Sequence, residues 1–335
     1  MTLNAEGARP CRVVSVQISG DTAKRPQSTT HRLDFLVAIA RAIRQRGWTG
    51  VDAIVLPAGY LRADLWLAPL TAEERRHAVN TSVLGMVCRF AISRLAERSP
   101  GCVLVVGIDT NRHRPWGFRG DQALAAFNEG GCITVVRKIF PTDGDTNEWG
   151  RMPYLLDRPD ADGAARFLPL PSGRSAMLCV CYDSFVFSEL ALGPTTKLRA
   201  MRYQTDPIDG WDGLKPWQAW DWLQKLDSQI ELHRPTVVLN PIHGFDRQGG
   251  DVFWQRHGLS VASSALGGGL AVGAAHYRRG LPNAEHAMMA ALGAPSTHIQ
   301  QGGRRRAYTA PAIDRFTLKH RALRGLGSLI QLFEG

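Results

Sequence analysis

A cysteine and a lysine, each directly after a strand-like apolar run, are the residues best suited to do chemistry. Cys181 lies where the apolar segment 175–180 gives way to polar residues, and Lys138 follows the apolar run 132–136. A thiol presented by a turn can attack a carbonyl carbon, and a fixed ammonium facing it can bind the resulting oxyanion. The pair predicts covalent acyl chemistry.

Each residue also has a plainer interpretation. A cysteine in an apolar strand is normally a small buried hydrophobic residue, which is the interpretation we give Cys179. Lys138 would then be a solvated cation at a strand end. Because arginine carries almost all of this chain's positive charge, a lysine at this position favours a need for a compact point charge. The turn after Cys181 favours the functional interpretation of that thiol.

Two other polar residues follow predicted strands. His243 ends the strand 237–241 and is a candidate base, although a turn histidine with a local hydrogen bond is the alternative. Asp183 is predicted to accept backbone N–H bonds and to hold the turn after Cys181 rigid.

The order Arg137-Lys138-x-x-Pro141, followed by Cys181-Tyr182-Asp183, resembles the nitrilase superfamily of carbon–nitrogen hydrolases. The resemblance covers about 11–277 and is weakest over 191–235. It implies a four-layer α-β-β-α sandwich with mixed sheets, and a reaction that needs no cofactor. Cys181 would be the nucleophile and Lys138 the oxyanion stabiliser, and Tyr182, Ala58 and Tyr60 are the expected substrate-binding residues.

One part of the superfamily's catalytic set is missing. Its first catalytic carboxylate is a glutamate directly after the proline of an early apolar strand, and this chain has Pro57-Ala58 there. Alanine cannot take a proton, so water attack on an acyl intermediate would need another base. The available replacements are Glu148, in the region where some branches of the superfamily carry a second glutamate, and His243. For Glu148 the alternative is a solvated loop carboxylate.

The elements around these residues alternate between strand and helix, which is typical of an α/β protein with a covered, mixed sheet. A capping box at 71–74 predicts a long helix to about residue 97. The strands 123–127 and 132–136 flank a hairpin signal that delivers Lys138. Further helices are predicted over 31–46 and 251–266, and from Pro216 onward. We expect one domain over 1–335, with a Trp-rich insertion at about 191–235 and a basic C-terminal extension from about 300.

Composition limits the other classes of function. The 335 residues are 44% hydrophobic and 21% charged, which is ordinary for a globular protein with a sizeable core. The absence of a signal peptide or spanning segment leads us to expect a cytoplasmic protein without membrane contact. The six cysteines show no paired C-x-x-C spacing, so we expect reduced thiols and neither a disulfide framework nor a zinc ribbon.

The sequence leaves three functions open. We expect a thiol-dependent hydrolase of an amide, nitrile or carbamoyl compound, acting as a homodimer or higher homo-oligomer on a small molecule. The alternative is a catalytically silent protein of this fold that serves as a binding or scaffolding subunit. The net charge of +10 would also suit a nucleic-acid partner, but only Arg304-Arg305-Arg306 forms a tight cluster, and we expect a solvated surface instead.

Overall fold

Apolar strands and amphipathic helices assemble, in the computed structural model, into two sheet halves that face each other with helices outside. The structure describes residues 9–19, 29–65, 67, 70–110, 122–138, 163–187, 216–245, 250–278, 280–281, 289–292, 310–319 and 327–335.

The strands are β1 (Arg12–Ser19), β2 (Ala53–Val55), β3 (Leu61–Ala63), β4 (Val103–Thr110), β5 (Gln122–Asn128), β6 (Gly131–Arg137), β7 (Phe167–Pro169), β8 (Ser175–Leu178), β9 (Val237–Phe245), β10 (Leu270–Tyr277), β11 (Ala290–Leu292), β12 (Asp314–Lys319) and β13 (Gly327–Glu334). The helices are α1 (Thr29–Arg46), α2 (Ala72–Asn80), α3 (Val83–Ser93), α4 (Pro216–His233), α5 (Gly250–Trp254) and α6 (Ser260–Ala265). A π-helical turn, Gln255–Leu259, joins α5 to α6, and two 3-10 helices cover Gly163–Arg166 and Cys181–Phe187.

The sheet has two halves that meet at one point. The first half runs in the order β6-β5-β4-β2-β1-β13-β12, with β3 beside β4, and the second runs β7-β8-β9-β10-β11. They are joined by a short parallel pairing of β1 with β10, at Ile18 with His276 and Ser19 with Tyr277. Apolar side chains from both halves, among them Val105 and Leu239, form a common core between them.

Helices cover the outer face of each half. Residues of α1 and α3, such as Phe35 and Cys88, pack with the first half. Leu226 of α4 and Ala262 of α6 pack on the second half around Met177. The predicted four-layer α-β-β-α architecture is confirmed by these layers.

The strand directions bring several chain segments to one edge of the sheet. In the spatial order β4-β2-β1-β10-β9-β8, each strand runs parallel to the next. Strand β6 has the same direction as β4, because each is antiparallel to β5. The carboxyl ends of β2, β4, β6, β8 and β9 therefore point the same way, which is where open α/β sheets usually bind their ligands.

Two predicted helices have different bounds in the structure. The prediction of one long helix over 71–97 is wrong, because one helix ends at its C-cap Thr81 and a second helix begins at its N-cap Ser82. The Ser82 hydroxyl accepts from the Gly85 N–H at 3.2 Å and so caps α3. The predicted capping box at Thr71 is confirmed at the start of α2. The helix predicted over 251–266 is interrupted by the π-helical turn Gln255–Leu259.

The C-terminal region from about 300 includes β12 and β13, which were not predicted. Strand β13 pairs antiparallel with β1 over its whole length, from Arg12 with Glu334 to Ile18 with Ser328. Within the described ranges, none of the helices is both long and apolar enough to cross a membrane.

Candidate active site

Cys181 starts a turn in a backbone conformation that L-residues rarely adopt. Strand β8 ends at Leu178, and Cys181 has a φ of 52° at the start of the 3-10 helix Cys181–Phe187. Side chains other than glycine pay roughly 1–2 kcal/mol for the left-handed region. Strain of this kind persists where the surrounding structure fixes it, often at functional sites. Cys181 is therefore held in its position by its surroundings.

Lys138 follows β6 and is buried. Its side chain is only 2% exposed, and its backbone N–H donates to the Gln122 carbonyl at 2.9 Å. Its Nζ lies 5.7 Å from the centroid of the Tyr182 ring. Tyr182 packs in turn on Phe185 and Trp254. The ammonium and the thiol thus share one corner of the structure, beside an aromatic cluster.

A buried ion pair fixes the turn of Cys181 to the end of β6. Arg166 Nη1 lies 3.3 Å from Asp183 Oδ2, and both side chains are almost fully buried. Asp183 Oδ2 also accepts from the Val180 N–H at 3.1 Å, as the sequence predicted. The Arg166 guanidinium donates to the carbonyls of Leu178 and Arg137. Because Arg137 precedes Lys138, one arginine holds both the thiol's turn and the lysine's strand.

His243 and Asp109 form the second polar pair of the site. His243 Nε2 lies 3.0 Å from Asp109 Oδ1, and the two side chains are 29% and 31% exposed. Asp109 stands near the carboxyl end of β4 and His243 near that of β9. Cys181 packs in one buried cluster with Ile242, the residue before His243, and His243 is close enough to lower the pKa of the thiol. Three strand ends therefore bring a thiol, an imidazole and a carboxylate into one connected series.

The charges around Cys181 favour its thiolate. Burial on its own would raise the pKa of Cys181, but the Lys138 ammonium and the hydrogen bonds with His243 outweigh it and leave the pKa below its ordinary value. For His243, burial lowers the pKa, and the charge and hydrogen bond of Asp109, followed by the contact with Cys181, raise it to about 10. The surroundings therefore favour the thiolate form of Cys181 and the imidazolium form of His243.

The segment after β2 lies next to His243. Ala58 is buried, and its N–H donates to the carbonyl of Ile242 at 3.2 Å. Gly59, with φ 61°, follows it. Tyr60 is also buried, and its hydroxyl donates to the Arg32 carbonyl of α1 at 2.6 Å. Ala58 lies at the site, whereas the Tyr60 ring belongs to the core under α1.

The structure brings together most of the residues that the sequence singled out. Cys181, Lys138, His243, Tyr182 and Ala58 lie at the same edge of the sheet, as do the ends of their strands. The proposed roles of these residues stay predictions, as does a substrate-binding role for Tyr60.

The prediction and the observed site differ at three residues. Glu148 lies outside the described residues. Asp109 and Arg166 were missed by the sequence reasoning. Asp109 had a usable signal, since it directly follows the apolar run 102–108, as the other candidates follow theirs. Arg166 had none, because it lies in a short 3-10 helix far along the chain from either partner element.

The donor set does not indicate a metal. Within the described ranges, no group of three or more histidine, cysteine, aspartate or glutamate side chains is arranged to hold an ion.

Comparison with known proteins gives matches among solved structures alone. No protein-family profile matches the chain, and no curated protein matches its sequence. A mutant of the Nesterenkonia AN1 amidase from the nitrilase superfamily is 15% identical, with a TM-score of 0.40, and the match covers 80% of this chain and 79% of that one. A carbon-nitrogen hydrolase from Helicobacter pylori G27 is 12% identical, with a TM-score of 0.42, over 80% of this chain and 74% of that one.

A third match is to part of a longer protein. The glutamine-dependent NAD+ synthetase from Acinetobacter baumannii is 14% identical, with a TM-score of 0.41, over 79% of this chain and 38% of that one. The matches thus include the superfamily that the sequence resembles, and at these identities the likeness is one of fold.

Proposed function

We propose that this chain is a thiol-dependent hydrolase of non-peptide C–N bonds that works through a covalent acyl-enzyme. The observation that carries the proposal is the placement of Cys181 at φ 52° beside Lys138 and His243, whose charges favour its thiolate. The thiolate is the form of cysteine that attacks carbonyl and nitrile carbons. The five other cysteines, in contrast, have pKa values raised mainly by burial: Cys11, Cys88, Cys102, Cys132 and Cys179.

We assign to Lys138 the stabilisation of the oxyanion. When the thiolate attacks an amide, the carbonyl oxygen gains negative charge, and a buried ammonium beside the thiol stabilises that charge without reorganising. The low exposure of Cys181, 5%, and of Lys138, 2%, favours a small substrate that reaches into the site. We therefore propose a small amide, nitrile or carbamoyl compound, and the chemistry requires no cofactor.

Ala58 favours a second candidate function. Where the superfamily has a catalytic carboxylate, this chain has a methyl group, which would suit a silent protein of this fold used as a binding or scaffolding subunit. Such a protein could keep a reactive thiol as a remnant but would show no release of product. The two candidates therefore differ in turnover and in acyl-enzyme formation.

Trapping of the acyl-enzyme tests the proposal. The full chain is mixed with p-nitrophenyl acetate, and intact-mass and peptide-mapping spectrometry locate any acetyl group. We expect one acetyl group on Cys181, none on Cys181→Ala, and normal acetylation of Cys181 in the control variant Cys179→Ala. A panel of small amides and nitriles is then assayed for ammonia or amine release. No acetyl group on Cys181 and no release from any substrate would leave the silent candidate standing.

A further inference from the structure

The imidazole of His243 contacts the carboxylate of Asp109 and lies beside the thiol of Cys181. Asp109 Oδ1 lies 3.0 Å from His243 Nε2, and Cys181 packs in one buried cluster with Ile242, the residue before His243. With Nε2 engaged by Asp109, Nδ1 is the ring nitrogen left for the thiol and for the reacting group. We propose that Asp109 is a positioning residue for His243 and that this pair replaces the glutamate missing at position 58. The inference rests on the proposed function and deepens it.

The glycine beside Ala58 keeps space for the carboxylate of Asp109. A Cβ built on Gly59 would lie 2.5 Å from Asp109 Oδ2 and 2.9 Å from its Cγ. Contacts of that length are not tolerated, so any larger residue at position 59 would displace the carboxylate. Gly59 also has a φ of 61°, which suits glycine. The chain after β2 therefore makes room for a carboxylate that comes from β4.

The carboxylate is in this way supplied from the neighbouring strand. Strands β2 and β4 are adjacent and parallel, with Val55 opposite Val105. Ala58, which holds the superfamily's glutamate position, is hydrogen-bonded to Ile242, the residue before His243. His243 thus lies next to position 58, where the superfamily has its glutamate. Asp109 contacts the imidazole of His243 from β4.

The first half of the reaction uses the imidazolium as an acid. The Cys181 thiolate forms a C–S bond to an amide carbon, and the C=O electron pair moves to the oxygen beside Lys138. When this intermediate collapses, the C–N bond breaks, and the nitrogen takes the proton of His243 and leaves as an amine. A thioester and a neutral imidazole remain.

The second half uses the neutral imidazole as a base. His243 takes a proton from water as the water oxygen bonds to the thioester carbon. Collapse of that intermediate breaks the C–S bond, releases the carboxylic acid and restores the thiolate and the imidazolium. One amide and one water give one acid and one amine, and the glutamate at position 58 is not needed.

The charges facing His243 set the sign of the expected pH dependence. Asp109 comes from β4, the Cys181 thiolate from its turn and His276 from β10, and Lys138 lies beside the thiol. Acylation removes the thiolate, so in the acyl-enzyme Asp109 is the anion that still favours the imidazolium. Deacylation should rise with pH as His243 loses its proton. Replacing Asp109 with a neutral residue should lower the pKa of His243 and shift that rise to lower pH.

Burst kinetics with p-nitrophenyl acetate test the inference on the full chain. Wild type should give steady release of nitrophenolate. His243→Ala should give about one equivalent and then a phase slowed by about 10² to 10⁴, the usual value of general acid–base catalysis. Asp109→Asn should slow the same phase at least tenfold and move its pH rise downward, whereas Asp109→Glu should retain much of the rate and the position of the rise.

Matched controls separate positioning from general damage. Asp34→Asn removes the same charge from an exposed position of α1 and should change neither phase. Gly59→Ala should reproduce the slow phase of Asp109→Asn. Gly173→Ala imposes a similar backbone strain, at φ 83°, with no atom within 4 Å of the added Cβ, and should leave the kinetics intact. Thermal melts show which variants are folded.

Three outcomes oppose the inference. If wild type forms no acetyl-enzyme on Cys181, the proposed function fails and the inference falls with it. If the acetyl-enzyme forms but folded Asp109→Asn deacylates at the wild-type rate with the same pH rise, the inference alone fails. If Glu148→Gln stops deacylation while His243→Ala does not, the base is Glu148 and the assignment of His243 is wrong.

Discussion

Cys179 and Cys181 are two residues apart, yet they lie in chemically different regions. Cys179 continues the direction of β8, with its N–H bonded to the Leu239 carbonyl at 3.0 Å, and packs in the core under α4 and α6. Burial, with the nearby Asp183 carboxylate, raises the pKa of Cys179. Burial acts on Cys181 in the same direction, but Lys138 and His243 reverse the result. Burial is thus common to both thiols, and the neighbouring charges make the difference.

The difference comes from where the strands end. Side chains within the strands meet other apolar side chains from the facing sheet and the covering helices. At the carboxyl ends the chain turns, and residues from β4, β6, β8 and β9 meet at one edge. Cys179 therefore lies among apolar side chains, whereas Cys181, two positions further along the chain, lies near an ammonium, an imidazole and a carboxylate.

Removal of each sulfur in turn gives the largest contrast. Cys181→Ala should abolish turnover and acetylation and leave the fold intact, because the substitution keeps the Cβ and removes one atom at a turn. Cys179→Ala should retain activity. The measurements are steady-state hydrolysis and far-ultraviolet circular dichroism. The reverse pattern would mean that the turn is placed at the wrong cysteine.

Removal of the ammonium should bring the two thiols closer in behaviour. Lys138→Met keeps the length and loses the charge, and loss of an oxyanion donor costs about 10² to 10³ in turnover. The pKa of Cys181 should also rise, because the cation that favoured its thiolate is gone. Lys319→Met is the matched control, since Lys319 is an exposed lysine at a strand end. If Lys138→Met and Lys319→Met had equal turnover, Lys138 would have no more part in catalysis than Lys319.

Alkylation should distinguish the thiols by their pH dependence. A thiol reacts as its thiolate, so the rate falls as pH drops through its pKa. Because the pKa of Cys181 is lowered, its labelling by iodoacetamide should fall off at a lower pH than that of a free thiol, whose ordinary pKa is about 8.5. Cys179 should be labelled after denaturation alone. Peptide mapping follows both sites, and a Cys181 rate that falls like that of free cysteine would contradict the thiolate assignment.

The smallest expected effect is a pair of opposite changes in stability. At φ 52° glycine is better suited than alanine, so Cys181→Gly should be more stable than Cys181→Ala by about 1 kcal/mol. In the extended segment after β8 the order should invert, with Cys179→Gly less stable than Cys179→Ala by about 0.5–1 kcal/mol. Urea unfolding measures all four variants. The same order at both positions would contradict the strained conformation of Cys181.

The sequence predicted the fold class and the central pair of the site because both depend on local patterns. Apolar runs such as 51–56 mark covered strands, and a polar residue directly after such a run marks a strand end. The His243–Asp109 contact is different, because it depends on which strands become neighbours across the sheet. Arg166 was hidden for a similar reason, since it joins the backbone carbonyls of Arg137 and Leu178 to the Asp183 carboxylate, and only the folded chain brings these groups together.

The split between α2 and α3 shows a limit of another kind. The residues around Thr81 are compatible with a continuous helix, and the capping box at Thr71 indicates where a helix starts but not where it stops. Ser82 ends the continuity by bonding to Gly85, and tertiary packing decides whether such a local competition is won. The interruption therefore lies beyond what the apolar pattern could show.

Strand β13 has a consequence for the order in which the chain folds. It supplies a hydrogen-bonding partner for β1 along Arg12–Ser19, more than three hundred residues earlier. On the ribosome, β1 is made more than three hundred residues before β13, so one edge of β1 stays unpaired during that interval. Contacts of such long sequence separation slow folding and leave open strand edges prone to aggregation. The nascent chain should therefore depend on chaperones until β13 has emerged and paired with β1.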